Sequence, residues 1–220
     1  MRKLIIILLA VLLSTVASAQ KFKHSGTSAK DVAPKGWKID YEPTGDLNKD
    51  GIADLVIMAT PDSAEHIVNR TDGSVYNNNQ PVLAIYWGTA DGRFNLYKEY
   101  PTVLSIFDDE LMAMEGLMME CTNEISINDR GVLRIKNFSD QAGSIVLTIE
   151  ELYRYQNGDF ELIGKLDSTY DRDTQSFGEA SYNYSTGKVK FTKSFMDDEK
   201  DDEVSWGTCQ KSPKKKLGQQ

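Results

Sequence analysis

Histidine is scarce in this chain of 220 residues: only His24 and His66 are present. A His-rich zinc site needs several imidazoles, and a Ser-His-Asp triad needs one beside its nucleophile. His24 lies in a polar leader and His66 in a short predicted helix, so neither is easily built. There is no G-x-S-x-G elbow and no phosphate-cradling glycine loop. Cysteine is limited to Cys121 and Cys209, and Cys121 has no obvious His partner. Basic charge is also in deficit, with 25 Lys and Arg against 33 Asp and Glu. That balance argues against nucleic acid and anionic membranes as partners, because both select a basic face. No apolar run is long enough for a membrane span.

The longest apolar run is Leu4–Leu13, behind Arg2 and Lys3 and ahead of Ala17-Ser18-Ala19. A positive start, a short apolar core and an A-x-A site read as a signal peptide over 1–19, with Gln20 the first mature residue. The protein is then exported, to the periplasm or the extracellular space. Loss of Arg2 and Lys3 takes the basic count from 25 to 23, against 33 acidic residues, a net charge of −10. In an oxidising compartment Cys121 and Cys209 become a disulfide candidate. Closing so long a loop stabilises by about 4 kcal/mol in the chain-entropy model. The alternative is two separate thiols.

What is present is concentrated in one stretch, Gly45-Asp46-Leu47-Asn48-Lys49-Asp50-Gly51-Ile52-Ala53-Asp54-Leu55-Val56-Ile57. Oxygen donors alternate at Asp46, Asn48 and Asp50, and Gly51 allows a sharp turn. Ile52 can offer only its backbone carbonyl, and Asp54 closes the set. Such a spacing suits Ca2+, a hard cation that takes six to eight oxygens. The EF-hand pattern fails, because position twelve is Ile57 rather than Glu and a β-prone run follows instead of a helix. The simpler reading is a polar turn, since Asn, Asp and Gly favour turns anyway.

The segment Asp46-x-Asn48-x-Asp50-Gly51-x-x-Asp54-Leu55 resembles the calcium loop of FG-GAP repeats, the blades of integrin-α-type β-propellers. The resemblance covers about twenty residues and one copy, whereas a propeller needs at least about four blades. It implies a calcium ion that staples an antiparallel hairpin, held by Asp46, Asn48, Asp50, the Ile52 carbonyl and Asp54. The chain also looks like small exported bacterial proteins with one such loop and a later Tyr153-x-Tyr155-x-Asn157-Gly158-x-Phe160-x-Leu162 segment. With all five ligands in one tight loop, a structural role for the ion is favoured over sensing or catalysis.

Around this loop the pattern is mainly β. Residues 20–35 read as a flexible leader, 36–210 as one β-rich domain, and 211–220 as a basic disordered tail. Strands are expected at 37–41, 55–59, 81–88 and 94–97, at 125–127 and 132–135, and from 145 to 155 and 160 to 163. A last hairpin turns at Ser185-Thr186-Gly187. Helices are expected from Thr60 to about Val68, and at 108–119, where Met112, Met114, Met118 and Met119 read as helical core. The hairpins around Gly92 and Gly158 echo each other, suggesting two related meanders. The acidic run Asp197–Glu203 reads as a solvated loop rather than a second ion site. The expected fold is therefore antiparallel, blade-like or sandwich-like meanders with one or two short helices.

On function, the residues point to a calcium-ordered binding or interaction module for a protein or a glycan. Tyr76, Tyr182 and Tyr184 are the aromatics able to stack on sugars. The alternatives are a glycan-directed hydrolase using a carboxylate pair, and a structural envelope component. No two acidic residues single themselves out as that pair, so an enzyme is the less favoured reading.

Overall fold

The computed structural model describes residues 21–106, 118–141, 144–196, 200–211 and 215–219. The segment 1–19, expected as a signal peptide, and the bulk of the helix expected at 108–119 lie outside these residues, together with Met112 and Met114. Met118 and Met119 open a strand. The fold is mainly β, as the sequence pattern predicts.

Two strands buried on both faces organise the first sheet. β4 (Asp54–Pro61) and β7 (Val82–Gly88) are near-continuous apolar runs. Their side chains alternate with period two. Val56, Met58, Leu83 and Ile85 point to one core, and Leu55, Ile57, Ala59, Ala84 and Tyr86 to another. The flanking strands are β1 (Ser25–Gly26), β8 (Phe94–Tyr100) and β2 (Trp37–Tyr41), in the order β1-β8-β7-β4-β2. β3 (Thr44–Gly45) also pairs with β4, and every pairing is antiparallel.

The second sheet is a seven-stranded antiparallel meander. It runs through β9 (Met118–Ile127), β10 (Val132–Gln141), β11 (Ile145–Gln156), β12 (Asp159–Asp171), β13 (Ser176–Asn183), β14 (Lys188–Phe195) and β15 (Glu203–Thr208). Its first four strands pack on the first sheet through Ile125, Leu133, Ile135, Tyr153, Phe160 and Leu162. A two-stranded hairpin, β5 (Ile67–Asn69) and β6 (Val75–Asn77), stands apart.

The two echoing hairpins belong to different sheets and meet. Trp87 and Tyr97 from β7 and β8 pack on Tyr155 and Phe160 from β11 and β12, with ring centroids 4.9–6.0 Å apart. The Tyr97 hydroxyl donates to the Gly158 carbonyl at 3.2 Å. Asn157 and Gly158 both take positive φ, 53° and 79°, as a two-residue type I′ hairpin requires.

Three expectations are corrected. The leader is part of the fold: Phe22, Ala29 and Val32 are buried against the outer face of the first sheet. A short helix, α1 (Ala29–Val32), is capped by Ser28. The tail is also placed. Leu217 is 2% exposed, and its N–H donates to the Phe160 carbonyl while Leu162 N–H donates to Lys215. A few apolar residues among many polar ones suffice to anchor both segments, and averaged composition hides them. Finally, Thr60 and Pro61 continue β4, and only a 3-10 turn, Ala64–His66, follows. Pairing of β4 with β7 has already ended at Ala59, so the missing Pro61 N–H leaves no gap in that ladder. No helix among the described residues is long and apolar enough to cross a membrane.

Candidate functional site

The 46–54 loop closes the hairpin between β3 and β4, with Gly45 opposite Asp54 and Thr44 opposite Leu55. Its side chains order its own backbone. Asp46 Oδ1 accepts from Lys49 N–H at 2.7 Å and Asp50 N–H at 3.2 Å, and Oδ2 accepts from Gly51 N–H at 3.1 Å. Asn48 Oδ1 accepts from Asp50 N–H, and Asp50 Oδ1 from Ile52 N–H. Lys49 and Gly51 take positive φ, 67° and 87°. Leu47 points inward and is buried in the main core.

Asp54 differs from the others. It is fully buried. Its Oδ1 accepts from Gly88 N–H at 2.9 Å, and its Oδ2 accepts from Leu47 N–H at 2.8 Å and more weakly from Asn48 N–H at 3.4 Å. Burial pushes its carboxyl above the ordinary aspartate value, the three N–H donors oppose that, and the like charge of Asp50 adds to the rise. Both sheets hold the loop. A Cβ on Gly88 would lie 2.1 Å from the Ala53 carbonyl, and one on Gly131, in the β9–β10 turn, 2.1 Å from the Asp46 carbonyl.

The donor chemistry fits a hard cation. Asp46, Asn48 and Asp50 sit on the accessible side of the loop. Each carboxylate or amide oxygen has two lone pairs, and Asp46 Oδ2, Asn48 Oδ1, Asp50 Oδ1 and Asp54 Oδ1 each accept one hydrogen bond. Among the described residues no three His, Cys, Asp or Glu side chains are drawn together into a metal-ready cluster. The carboxylates hold backbone N–H groups instead.

A second feature lies on the far half of the seven-stranded sheet. β12 carries one extra residue, Ile163, opposite the Leu152–Tyr153 step. This bulge resets which side chains face inward. Before it, Phe160 and Leu162 face the core. After it, Lys165, Asp167 and Thr169 take that side, and the sheet runs past its cover. The uncovered inner face forms a trough of about 500 Å³. Gly178, Ala180 and Ser205 make its floor, with Tyr182 and Phe191 as aromatic walls. Asp167, Thr169, Lys193 and Glu203 supply polar groups. Tyr182 stacks on Tyr184 at 6.1 Å, and Phe191 is 42% exposed. Tyr182 and Tyr184 are thus brought together, whereas Tyr76 lies elsewhere with the Arg70 guanidinium over its ring. Sequence reading missed Gly178 and Ala180. Their only signal was small residues alternating in a strand.

A cleft of about 370 Å³ beside β2 is lined by Lys38, Asp40, Tyr41 and the amides of Asn77, Asn79 and Asn123. Those amides are engaged in holding chain segments: Asn77 and Asn79 donate to the Pro61 and Ser63 carbonyls, and Asn123 pairs with both backbone groups of Ser105.

No disulfide is present among the described residues. Cys209 is a free thiol, with Sγ 3.5 Å from the Lys188 carbonyl. Cys121 is in β9, paired with Ser139, at the opposite edge of the seven-stranded sheet from β15.

No protein-family model, curated protein or solved structure matches the chain.

Proposed function

We propose that this protein is an exported binding module, periplasmic or extracellular, whose fold is ordered by calcium in the 46–54 loop. Asp46, Asn48, Asp50, the Ile52 carbonyl and Asp54 would hold the ion. Its contribution is structural: it neutralises the loop's acidic charge and steadies the junction between the two sheets. The observation that carries the binding reading is the trough on the uncovered sheet. Aromatic walls over a floor of small residues leave room for a flat ring, and the surrounding carboxylate, hydroxyl and ammonium groups suit its hydroxyls. A glycan is the ligand class with both an apolar ring face and a hydroxylated rim.

The test is a glycan screen of the mature protein with binding and turnover read together, beside Tyr182→Ala and Phe191→Ala. Binding lost in both variants, with no turnover, supports the reading. Turnover abolished by a single Asp→Ala or Glu→Ala change outside the calcium loop would replace it with a carboxylate-pair hydrolase. Binding only to peptide ligands would move the partner class from glycan to protein.

A further inference from the structure

The seven-stranded sheet ends at β15, which pairs with β14 in an unbroken register from Lys193–Glu203 to Lys188–Thr208. Among the described residues β15 has no second neighbour. The phase of its hydrogen bonds follows from the next residue: Cys209 N–H donates to the Gly187 carbonyl at 3.0 Å. Antiparallel ladders alternate bonded and non-bonded pairs. Gly207, Ser205 and Glu203 therefore bond inward, and Thr208, Trp206 and Val204 direct their N–H and C=O groups away from the sheet.

Natural edges are usually blunted by Lys, Pro or a bulge. β15 reads Glu203-Val204-Ser205-Trp206-Gly207-Thr208 and has none of these. Two of its three outward-bonding residues are also apolar and exposed, Val204 at 50% and Trp206 at 67%. The flanks differ in charge. Asp201 and Asp202 precede the strand, and Lys211 follows it.

We propose that β15 is a self-pairing edge that joins two copies of this chain antiparallel about a two-fold axis at Trp206. This proposal does not depend on the ligand assigned to the trough. Only a register that sets Trp206 against Trp206 of the second copy uses all three outward-bonding residues, with Val204 opposite Thr208. About six N–H···O bonds would form. In the same register Asp201 falls opposite Lys211 of the second copy, twice per dimer. The acidic and basic flanks are thus matched by the symmetry itself, as an isologous contact requires. Trp206 and Val204 of both copies would cover one another on the outer face. On the inner face Ser205 and Gly207 would carry the trough across the junction.

The experiment is sedimentation equilibrium of the mature protein over a range of concentrations, with three variants. Trp206→Pro removes an outward N–H and the exposed ring but no bond to β14, so its far-UV circular dichroism and urea midpoint should match wild type while dimerisation is lost. Asp201→Lys should weaken the dimer about tenfold, since two attractions become two repulsions. Adding Lys211→Asp to it should restore most of the affinity. A protein that is monomeric at all concentrations, or a dimer indifferent to Trp206→Pro, overturns the proposal. A dimer lost in Trp206→Pro but unchanged by the charge reversal overturns the stated register.

Discussion

The carboxylate of Asp54 accepts the backbone N–H of Gly88 at 2.9 Å, across the boundary between β4 and β7. One side chain thereby joins the acidic loop to the central strands. With its other oxygen on Leu47 N–H, Asp54 fixes where the loop begins and where it ends. Asp54→Ala strips the acceptor from these buried N–H groups. Each buried donor left unsatisfied costs about 1–3 kcal/mol, so the expected loss is about 3 kcal/mol, read as a lower urea midpoint with unchanged slope. A loss under about 1 kcal/mol would show that water replaces the carboxylate and that the junction is looser than its geometry indicates.

Asp54 also sets a pH signature. Its folded pKa is raised above the unfolded value, chiefly by burial. The group's contribution is therefore most favourable below the unfolded pKa and is lost as pH rises through the folded pKa. Relative to Asp54→Asn, which does not titrate there, wild type should gain stability on acidification in the presence of chelator. Excess calcium should reverse that trend, because the ion needs the ionised carboxylate and is released as the pH falls. Thermal midpoints of both proteins between pH 4 and pH 7 give the comparison. Parallel curves in chelator would remove Asp54 from the account.

Calcium itself should raise the unfolding midpoint. A ligand that binds only the folded state adds about 2.7 kcal/mol at a hundredfold excess over its dissociation constant. Asp50→Ala removes one accessible donor and should unfold at the same temperature with calcium or with chelator. If wild type is equally indifferent, the segment is a polar turn and the metal reading fails.

Two glycines separate crowding from backbone strain. Gly88→Ala drives a Cβ to 2.1 Å from the Ala53 carbonyl. Backbone must shift there, and the loss should be about 3 kcal/mol. Gly92 has a φ of +78° and open space around it, so Gly92→Ala should cost only the left-handed penalty, about 1 kcal/mol. Chemical denaturation of the pair tests the order. Equal losses would mean that the Gly88 contact relaxes without cost.

The C-terminal segment offers the last prediction. Leu217 is buried in the main core beside Phe160, and Lys215 and Lys216 pair with Glu151 and Asp159 at 2.9 and 3.2 Å. Leu217→Ala should cost about 3 kcal/mol through lost burial and a residual cavity, whereas Lys216→Ala, at the surface, should cost less than about 1 kcal/mol. A truncation after Gln210 that melts like the full chain would return this segment to the status of a tail.

From its sequence alone this protein is legible as a mainly β chain. Period-two alternation marks most strands, Asn157-Gly158 and Ser185-Thr186-Gly187 mark hairpins, and the unbroken run Leu55–Ala59 marks a strand covered on both faces. These signals are local, acting over two to five residues, so they survive without knowledge of the fold. The alternation of Asp46, Asn48, Asp50 and Asp54 was visible for the same reason. Only the tertiary structure decided that Asp54 turns inward to Gly88 while its three companions stay accessible, because that depends on a strand 34 residues away. It also decided that Phe22 and Leu217, one at each end of polar segments, belong to the core. The bulge at Ile163 is a case of the same kind. A single unpaired residue is invisible in composition, yet it decides which later side chains of β12 face the trough, because register propagates along a strand and every later side chain follows it.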